Sequence, residues 1–433
     1  MSGRSVGSAP LDRPGVYLSR EHSTHAHTQP QGADVEGDPQ QLNALVIVGS
    51  DTTQPVMNAL AGYENGIAYK AIMSDLDGSG GNSHQQVASF DALNPDPLGD
   101  ACITPKVKGP TLYRSNGSSE GRRALSRAID GGNYGGTPGT GGTCPSPATS
   151  TVGLIDMARS SAPPSGTGTD LTYLPFGRDA LSFAYYRPSG GAVTTLTSAE
   201  LQSLFQTGPQ TIGGVRIVPC GTQTGTGTYQ SWRDLVTAGS VALEAQGTAF
   251  CGAFAGTANG DTVQARLQPN DGNDLKNKGD LIIATDPTEA NTQFVVAFSA
   301  AQFIGQFNGF AVDRLPAISA NFDLGSIDAL GKPYSGTTAP LAPRAPFYNS
   351  TTYGRDLYNV VDSARLADIG DLGMKGLLVS TDAGKPAVPG VPTNHIAAIC
   401  DTAAQTTVNL FGILSISNCG SAAITGPLIA GWN

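Results

Sequence analysis

Leu45-Val46-Ile47-Val48-Gly49-Ser50-Asp51-Thr52-Thr53-Gln54-Pro55 decides the fold. The apolar run from Leu45 to Val48 is a buried strand by length and β-branching, and Gly49 ends it. Thr53-Gln54-Pro55, followed by Val56, Met57, Leu60 and Ala61, predicts a capped helix with proline in its first turn. A strand that passes into a helix through glycine and hydroxyl residues leaves free N–H groups at the helix's positive end. Such a loop can hold an oxyanion without a metal.

Three further patches share this design. Ser115-Asn116-Gly117-Ser118-Ser119-Glu120-Gly121 precedes a helix expected over Ser119 to Ile129, with Ala124, Leu125 and Ala128 on one face. Asp156-Met157-Ala158-Arg159-Ser160-Ser161 follows the apolar run Val152 to Ile155. Gln223-Thr224-Gly225-Thr226-Gly227-Thr228 follows Val215-Arg216-Ile217-Val218. Singly, each reads as an ordinary helix cap. Together they predict one cleft between domains, with Thr52, Thr53, Ser118, Ser119, Ser161, Thr226, Gly227 and Thr228 as candidate ligand contacts.

Composition narrows the class. Across 433 residues there are 56 glycines and 29 prolines, and 14% of residues are charged. That is the profile of a loop-rich α/β or β-rich protein of two or three lobes. A net charge of -10 argues against nucleic-acid binding. No stretch approaches the roughly 18 apolar residues of a membrane span, and the longest candidate, Val408 to Ile416, is far too short. Six cysteines without a CxxC favour disulfides and an oxidising environment. Proximity along the chain suggests Cys102–Cys144, Cys220–Cys251 and Cys400–Cys419.

Residues 1–40 are polar, lack periodicity and read as an arm that docks onto another chain. They contain no apolar run behind a basic stretch, so no signal peptide is recognised. The expected division is arm 1–40, first lobe 41–174, second lobe 175–325, and linker and return to the first lobe 326–433. Starting in one lobe, building the other and returning makes a double-crossover hinge. In the second lobe, Ala180 to Tyr186 reads as a strand and Thr197-Ser198-Ala199-Glu200 as a capping box before Leu201, Leu204 and Phe205. Phe294 to Phe307 reads as a buried helix stopped by Asn308-Gly309.

Other motifs are weaker. Gly117 to Gly121 fits a nucleophile-elbow pattern around Ser119, but the one histidine after it, His395, has no other sign of a catalytic base. Asp75 to Gly80 opens like a calcium loop, yet its twelfth position is Gln86 rather than Glu. His22, His25 and His27 lie in the arm without a partner Cys or acid. No cofactor, metal or catalytic residue is expected.

The four patches resemble loops of the phosphate-binding receptors of bacterial ABC transporters, from about Leu42 to the end with large insertions. The family's Gly-Ser/Ala-Gly-Ala-Thr-Phe-Pro loop is similar to Gly49 to Pro55, with Thr53 on the ligand-contacting threonine. Its Gly-Ser-Ser-Gly-Gly loop is similar to Gly117 to Gly121. Asp156 to Pro163 resembles Asp-Phe-Gly-Ala-Ser-Asp-Ala-Pro, and Thr224 to Thr228 resembles Asp-Gly-Ser-Gly-Thr. The resemblance implies a two-lobed type II periplasmic-binding-protein-like α/β fold and a non-enzymatic protein. Two family residues are replaced. The Asp that accepts a proton from bound phosphate, and so rejects sulfate, falls on Ser161. The Arg falls on Thr222, and Asp51 stands where the family has glycine.

A site stripped of its main cation is expected to bind phosphate weakly. The functional expectation is therefore a binding-protein fold reused as an extracellular structural or surface-interaction module, a bacteriophage virion component, with virion or cell-surface proteins as partners through the arm. The alternative is an exported receptor for phosphate or another small oxyanion, secreted or cell-wall-associated.

Overall fold

The computed structural model describes residues 45–61, 63–64, 67–68, 87–89, 102–103, 105, 110–115, 117–135, 149–237, 249–258 and 261–431. The arm, the calcium-like loop and Cys144 lie outside them.

The architecture is mixed α/β. Eight strands matter here: β1 (Leu45–Gly49), β2 (Val87–Ser89), β3 (Met157–Ser160), β4 (Leu171–Tyr186), β5 (Gln210–Ile212), β6 (Val215–Pro219), β7 (Gln293–Ser299) and β8 (Gly354–Asp362). They run in the order β5-β6-β7-β4-β8-β3-β1-β2 within one mixed sheet, and Phe322–Leu324 and Ile424–Gly426 add to β4. β1 pairs in parallel with β2 and β3, and β6 with β7; β8 is antiparallel to both β3 and β4. The longer helices include α1 (Gln54–Ala61), α2 (Gly117–Asp130), α3 (Ser198–Thr207), α4 (Gly227–Thr237), α5 (Gly272–Thr285) and α6 (Ala300–Phe307).

Strand alternation builds two of the three cores. Leu45 and Ile47 of β1 enter a core with Val56 and Met57 of α1 and with Leu357 of β8. Val46 and Val48 enter the opposite core with Leu125 of α2, Ala158 of β3 and Val360 of β8. Burial on both faces explains why the strand reads as an unbroken apolar run. The third core gathers Phe183 of β4, Ile217 of β6, Phe294 and Val296 of β7, Trp232 of α4 and Phe303 of α6.

β4 joins these cores. Nine of its first ten residues pair with β8 and its last six with β7, so one strand of 16 residues passes between them. The division expected at 174/175 falls inside this strand. Pro175 lies at its bulge, where Leu357 and Tyr358 face Gly177 and Pro175 and skip Phe176. Proline cannot donate to a ladder and is tolerated at a bulge. The freed carbonyls find other donors: Gly420 N–H reaches Pro175 O at 2.7 Å, and Gln405 Nε2 reaches Phe176 O at 3.1 Å.

Several sequence expectations meet the structure directly. α1 and α2 form where expected, and Thr197 and Glu200 complete their capping box on α3. Cys220–Cys251 and Cys400–Cys419 are bonded. Phe294 to Phe307 is a correction: Gln293–Ser299 is a strand, and only Ala300–Phe307 is helical. Phe294-Val295-Val296-Ala297-Phe298 is buried on both sides, so it has no helical stripe to distinguish it, and β-branched and aromatic residues favour the pleat. Ser299 then caps the helix by accepting from Gln302 N–H. Val152 to Ile155 is a second correction. It forms a turn with Val152 exposed, and the strand is Met157–Ser160 itself.

Cys220 and Cys251 are fully buried and fasten the end of β6 across a sequence separation of 31. Replacing both with serine is expected to lower unfolding free energy by about 3–4 kcal/mol, the loop-closure term for that length. Urea unfolding of the two proteins checks this.

Candidate functional site

The ends of β1, β3 and β6 point their following loops to one place. Ser50 Oγ donates to Ser161 Oγ at 3.1 Å, and Ser118 Oγ lies 3.3 Å from the same atom. Ser161 N–H donates to Ser118 Oγ. Gly227, the first residue of α4, closes over this pair: a Cβ there would stand 2.2 Å from Ser161 Oγ and 2.7 Å from Ser118 Oγ. Only glycine fits. Gly117, with a positive φ of 82°, meets the loop before α4 as closely, since its Cβ would stand 2.7 Å from Gly225 O. The first turn of α2 and that of α4 thus touch through backbone, with the positive ends of both helices at one point.

A second group adjoins the first through the same loops. Arg355 Nη2 donates to Thr52 Oγ1 at 3.3 Å and to Thr228 Oγ1 at 2.9 Å. Arg355 sits near the start of β8 and is held by Asp179 of β4, whose Oδ2 is 2.8 Å from Nη2 and 3.1 Å from Nε. Asp179 also accepts from Ser299 Oγ and from Ala301 N–H in the first turn of α6. Among the described residues, buried Arg355 Nη1 has no hydrogen-bond partner, and neither has Thr53 Oγ1.

Asp51 is 1% exposed, and neither of its carboxylate oxygens has a partner at full hydrogen-bond geometry. Burial pushes its pKa up; Arg355, the Thr52 N–H and Arg159 work in the opposite direction. Its backbone is fixed from across the structure, because Gln302 Nε2 of α6 donates to Asp51 O at 3.0 Å and Thr52 O at 2.7 Å. Arg122, buried in α2, spends its guanidinium on neutral acceptors: Ser118 O, Pro163 O, Tyr173 Oη and Gln230 Oε1. Among the described residues no carboxylate pairs with it.

Of the candidates read from sequence, Ser118, Ser161 and Gly227 meet, and Thr52 and Thr228 share Arg355. Thr53 lies beside them with a free hydroxyl. Ser119 stands at the edge, where its Oγ accepts from Gln230 Nε2 at 2.9 Å; among the described residues it has no base to which it donates. Thr226 points its hydroxyl elsewhere: it accepts from Tyr229 N–H and donates to Gln223 O, capping α4. The third patch is a strand and its exit, with no helix after it, so it contributes hydroxyls without a helix dipole. Thr222 is bridged to Leu267 in the loop.

Arg355 was missed by sequence reasoning. The available signal was Arg355, Leu357, Asn359 and Val361 alternating along one strand face, which places two polar side chains on a face otherwise packed in a core.

No protein-family model matches the chain, and no curated protein matches it. Similar solved structures include an ABC-type phosphate transport receptor from Vibrio cholerae, 13% identical, covering 86% of this chain and 100% of that one at a TM-score of 0.40. A phosphate-binding protein from Stenotrophomonas maltophilia is 11% identical over 87% of this chain and 91% of its own, at 0.39. PstS from Borrelia burgdorferi is 15% identical over 87% and 99%, at 0.36. The likeness is to the same group that the loop motifs resemble. At these values it assigns neither a family nor a ligand to this chain.

Asp51 has a pH signature. Below the ordinary value of 3.8 its carboxyl is protonated whether the chain is folded or not. Above that value the unfolded chain releases the proton while the folded chain holds it, so folding stability falls as pH rises toward the raised folded-state pKa. The stability of Asp51→Asn relative to wild type is therefore expected to improve from about pH 3 to pH 7. Thermal unfolding across that range reads the difference.

Proposed function

We propose that the protein is a receptor for a small protonated oxyanion, with inorganic phosphate as the ligand that fits best. The observation that carries this is a complementary set of unsatisfied buried groups. Arg355 Nη1 and Thr53 Oγ1 can donate, and the Asp51 carboxyl, once ionised above its raised pKa, can only accept. Leaving such groups unpaired costs about 1–3 kcal/mol each, and more when they are charged. A ligand that accepts from the first two and donates a proton to the third relieves all of them at once. Monohydrogen phosphate can do this and sulfate, which has no proton at neutral pH, cannot.

The charge balance favours the same reading. Asp179 neutralises Arg355, so it serves as a fixed donor, whereas Arg122 adds a positive charge with no described carboxylate beside Ser118. The cation missing at Thr222 is thus supplied from β8 and α2, and the missing carboxylate at Ser161 from Asp51. We read the cores on either side of these loops as the two lobes expected from the sequence, 41–174 with 326–433 against 175–325.

The groups gathered here suit binding rather than bond-making, and Ser119 has an amide where an elbow serine needs a base. The two described disulfides fit an oxidising compartment. Neither the described residues nor the similar structures carry support for a role on a virus particle. The exported receptor for a small oxyanion is therefore preferred to the virion component.

Calorimetry at neutral pH with phosphate and sulfate is the test. Phosphate is expected to bind and sulfate to bind at least tenfold more weakly. Thr53→Val removes a hydroxyl that has no partner among the described residues, so it should leave the melting temperature unchanged or higher while weakening phosphate about tenfold or more, the scale of one hydrogen bond to a charged group. Equal affinity for both anions, or no binding of either, would refute the proposal.

A further inference from the structure

The hydroxyls of Ser118, Ser161 and Thr228, which adjoin the anion groups, are buried at a contact between α2 and α4, and that contact has a fastening of its own. Gln230, one turn into α4 and half-buried, donates from Nε2 to Ser119 Oγ at 2.9 Å and accepts at Oε1 from Arg122 Nη2 at 3.1 Å. Both partners lie on α2, three residues apart. Beside them the Ser119 N–H donates to Gly225 O at 3.0 Å, so a carbonyl of the loop before α4 takes up one of the first donors of α2. Gly117 and Gly227 leave no space between the two helix starts. Ser118, Ser161 and Thr228 beneath them are each 0% exposed. Moving the start of α4 away from α2 would uncover these groups.

We infer that Gln230 is a latch between α2 and α4 that sets how fast the buried site exchanges its ligand. One amide holds both ends of the contact: it gives a hydrogen to Ser119 and offers its oxygen to a guanidinium that has no described carboxylate. Of the groups that serve the anion it touches only Arg122, whose contribution is a charge beside Ser118, so it acts through the contact rather than by holding the ligand. The inference rests on the oxyanion reading for its ligand, but the fastening itself can be observed with no anion present.

The test compares full-length wild type with Gln230→Met, which keeps the length and loses both bonds, and Gln230→Glu, which offers Arg122 a charge-assisted bond. Amide hydrogen exchange at Ser119 is followed without added anion, and exchange of inorganic phosphate is followed by stopped flow. Gln230→Met is expected to lower Ser119 protection about tenfold and to raise both association and dissociation rates of phosphate by a similar factor, with Kd close to wild type. Gln230→Glu is expected to raise Ser119 protection. Unchanged protection in Gln230→Met overturns the latch, and so does lowered protection with unaltered phosphate rates. Lowered protection in a protein whose wild type binds no phosphate supports the fastening and refutes the oxyanion reading instead.

Discussion

Everything at the site depends on the buried pair of Asp179 and Arg355. Asp179 is 0% exposed and binds Arg355 at two guanidinium nitrogens, Ser299 through its hydroxyl and Ala301 through its backbone. One carboxylate thereby fixes β4, β8 and the start of α6 with respect to each other. Removing either partner of such a pair leaves an uncompensated buried charge, at a cost of about 3–5 kcal/mol. The pair also aims the guanidinium. With Nε and Nη2 committed to Asp179, Thr52 and Thr228, Nη1 is left without a partner.

Around that fixed cation the chain spends glycine and hydroxyl groups where other proteins spend charge. Gly117 and Gly227 let two helix starts meet at backbone distance, and Ser50, Ser118 and Ser161 fill the junction with hydroxyls that bond to one another. Neutral donors that are already ordered lose little entropy when an anion replaces a partner. Asp51 runs against this trend, since it is a carboxylate placed among donors and kept there by Gln302. Burial raises its pKa, so holding it there ionised is costly for folding.

Much of the scaffold was legible because its signals are local. The unbroken apolar run Leu45 to Val48, the proline in the first turn of α1 and the capping box at Thr197 each concern neighbouring residues. The hydroxyl patches were legible as loops, and three of the four do precede helices. What failed was long-range. Asp179 and Arg355 are far apart in sequence and meet only because β4 and β8 are antiparallel, so no window of sequence shows them together. Phe294 to Ser299 was misread because a strand buried on both faces carries no periodicity. Thr226 was placed in the right loop, but its hydroxyl caps α4, a use that the same letters permit.

The central claim is that Arg355, Thr53 and Asp51 together meet one protonated oxyanion. A crystal structure of the protein grown in phosphate, at a resolution that orients the anion, tests it most directly. The account predicts a single tetrahedral anion that accepts from Arg355 Nη1 and Thr53 Oγ1 and has one oxygen in hydrogen-bond contact with an Asp51 carboxylate oxygen. Finding those three groups bonded only to water, with phosphate absent or held elsewhere on the chain, would contradict it.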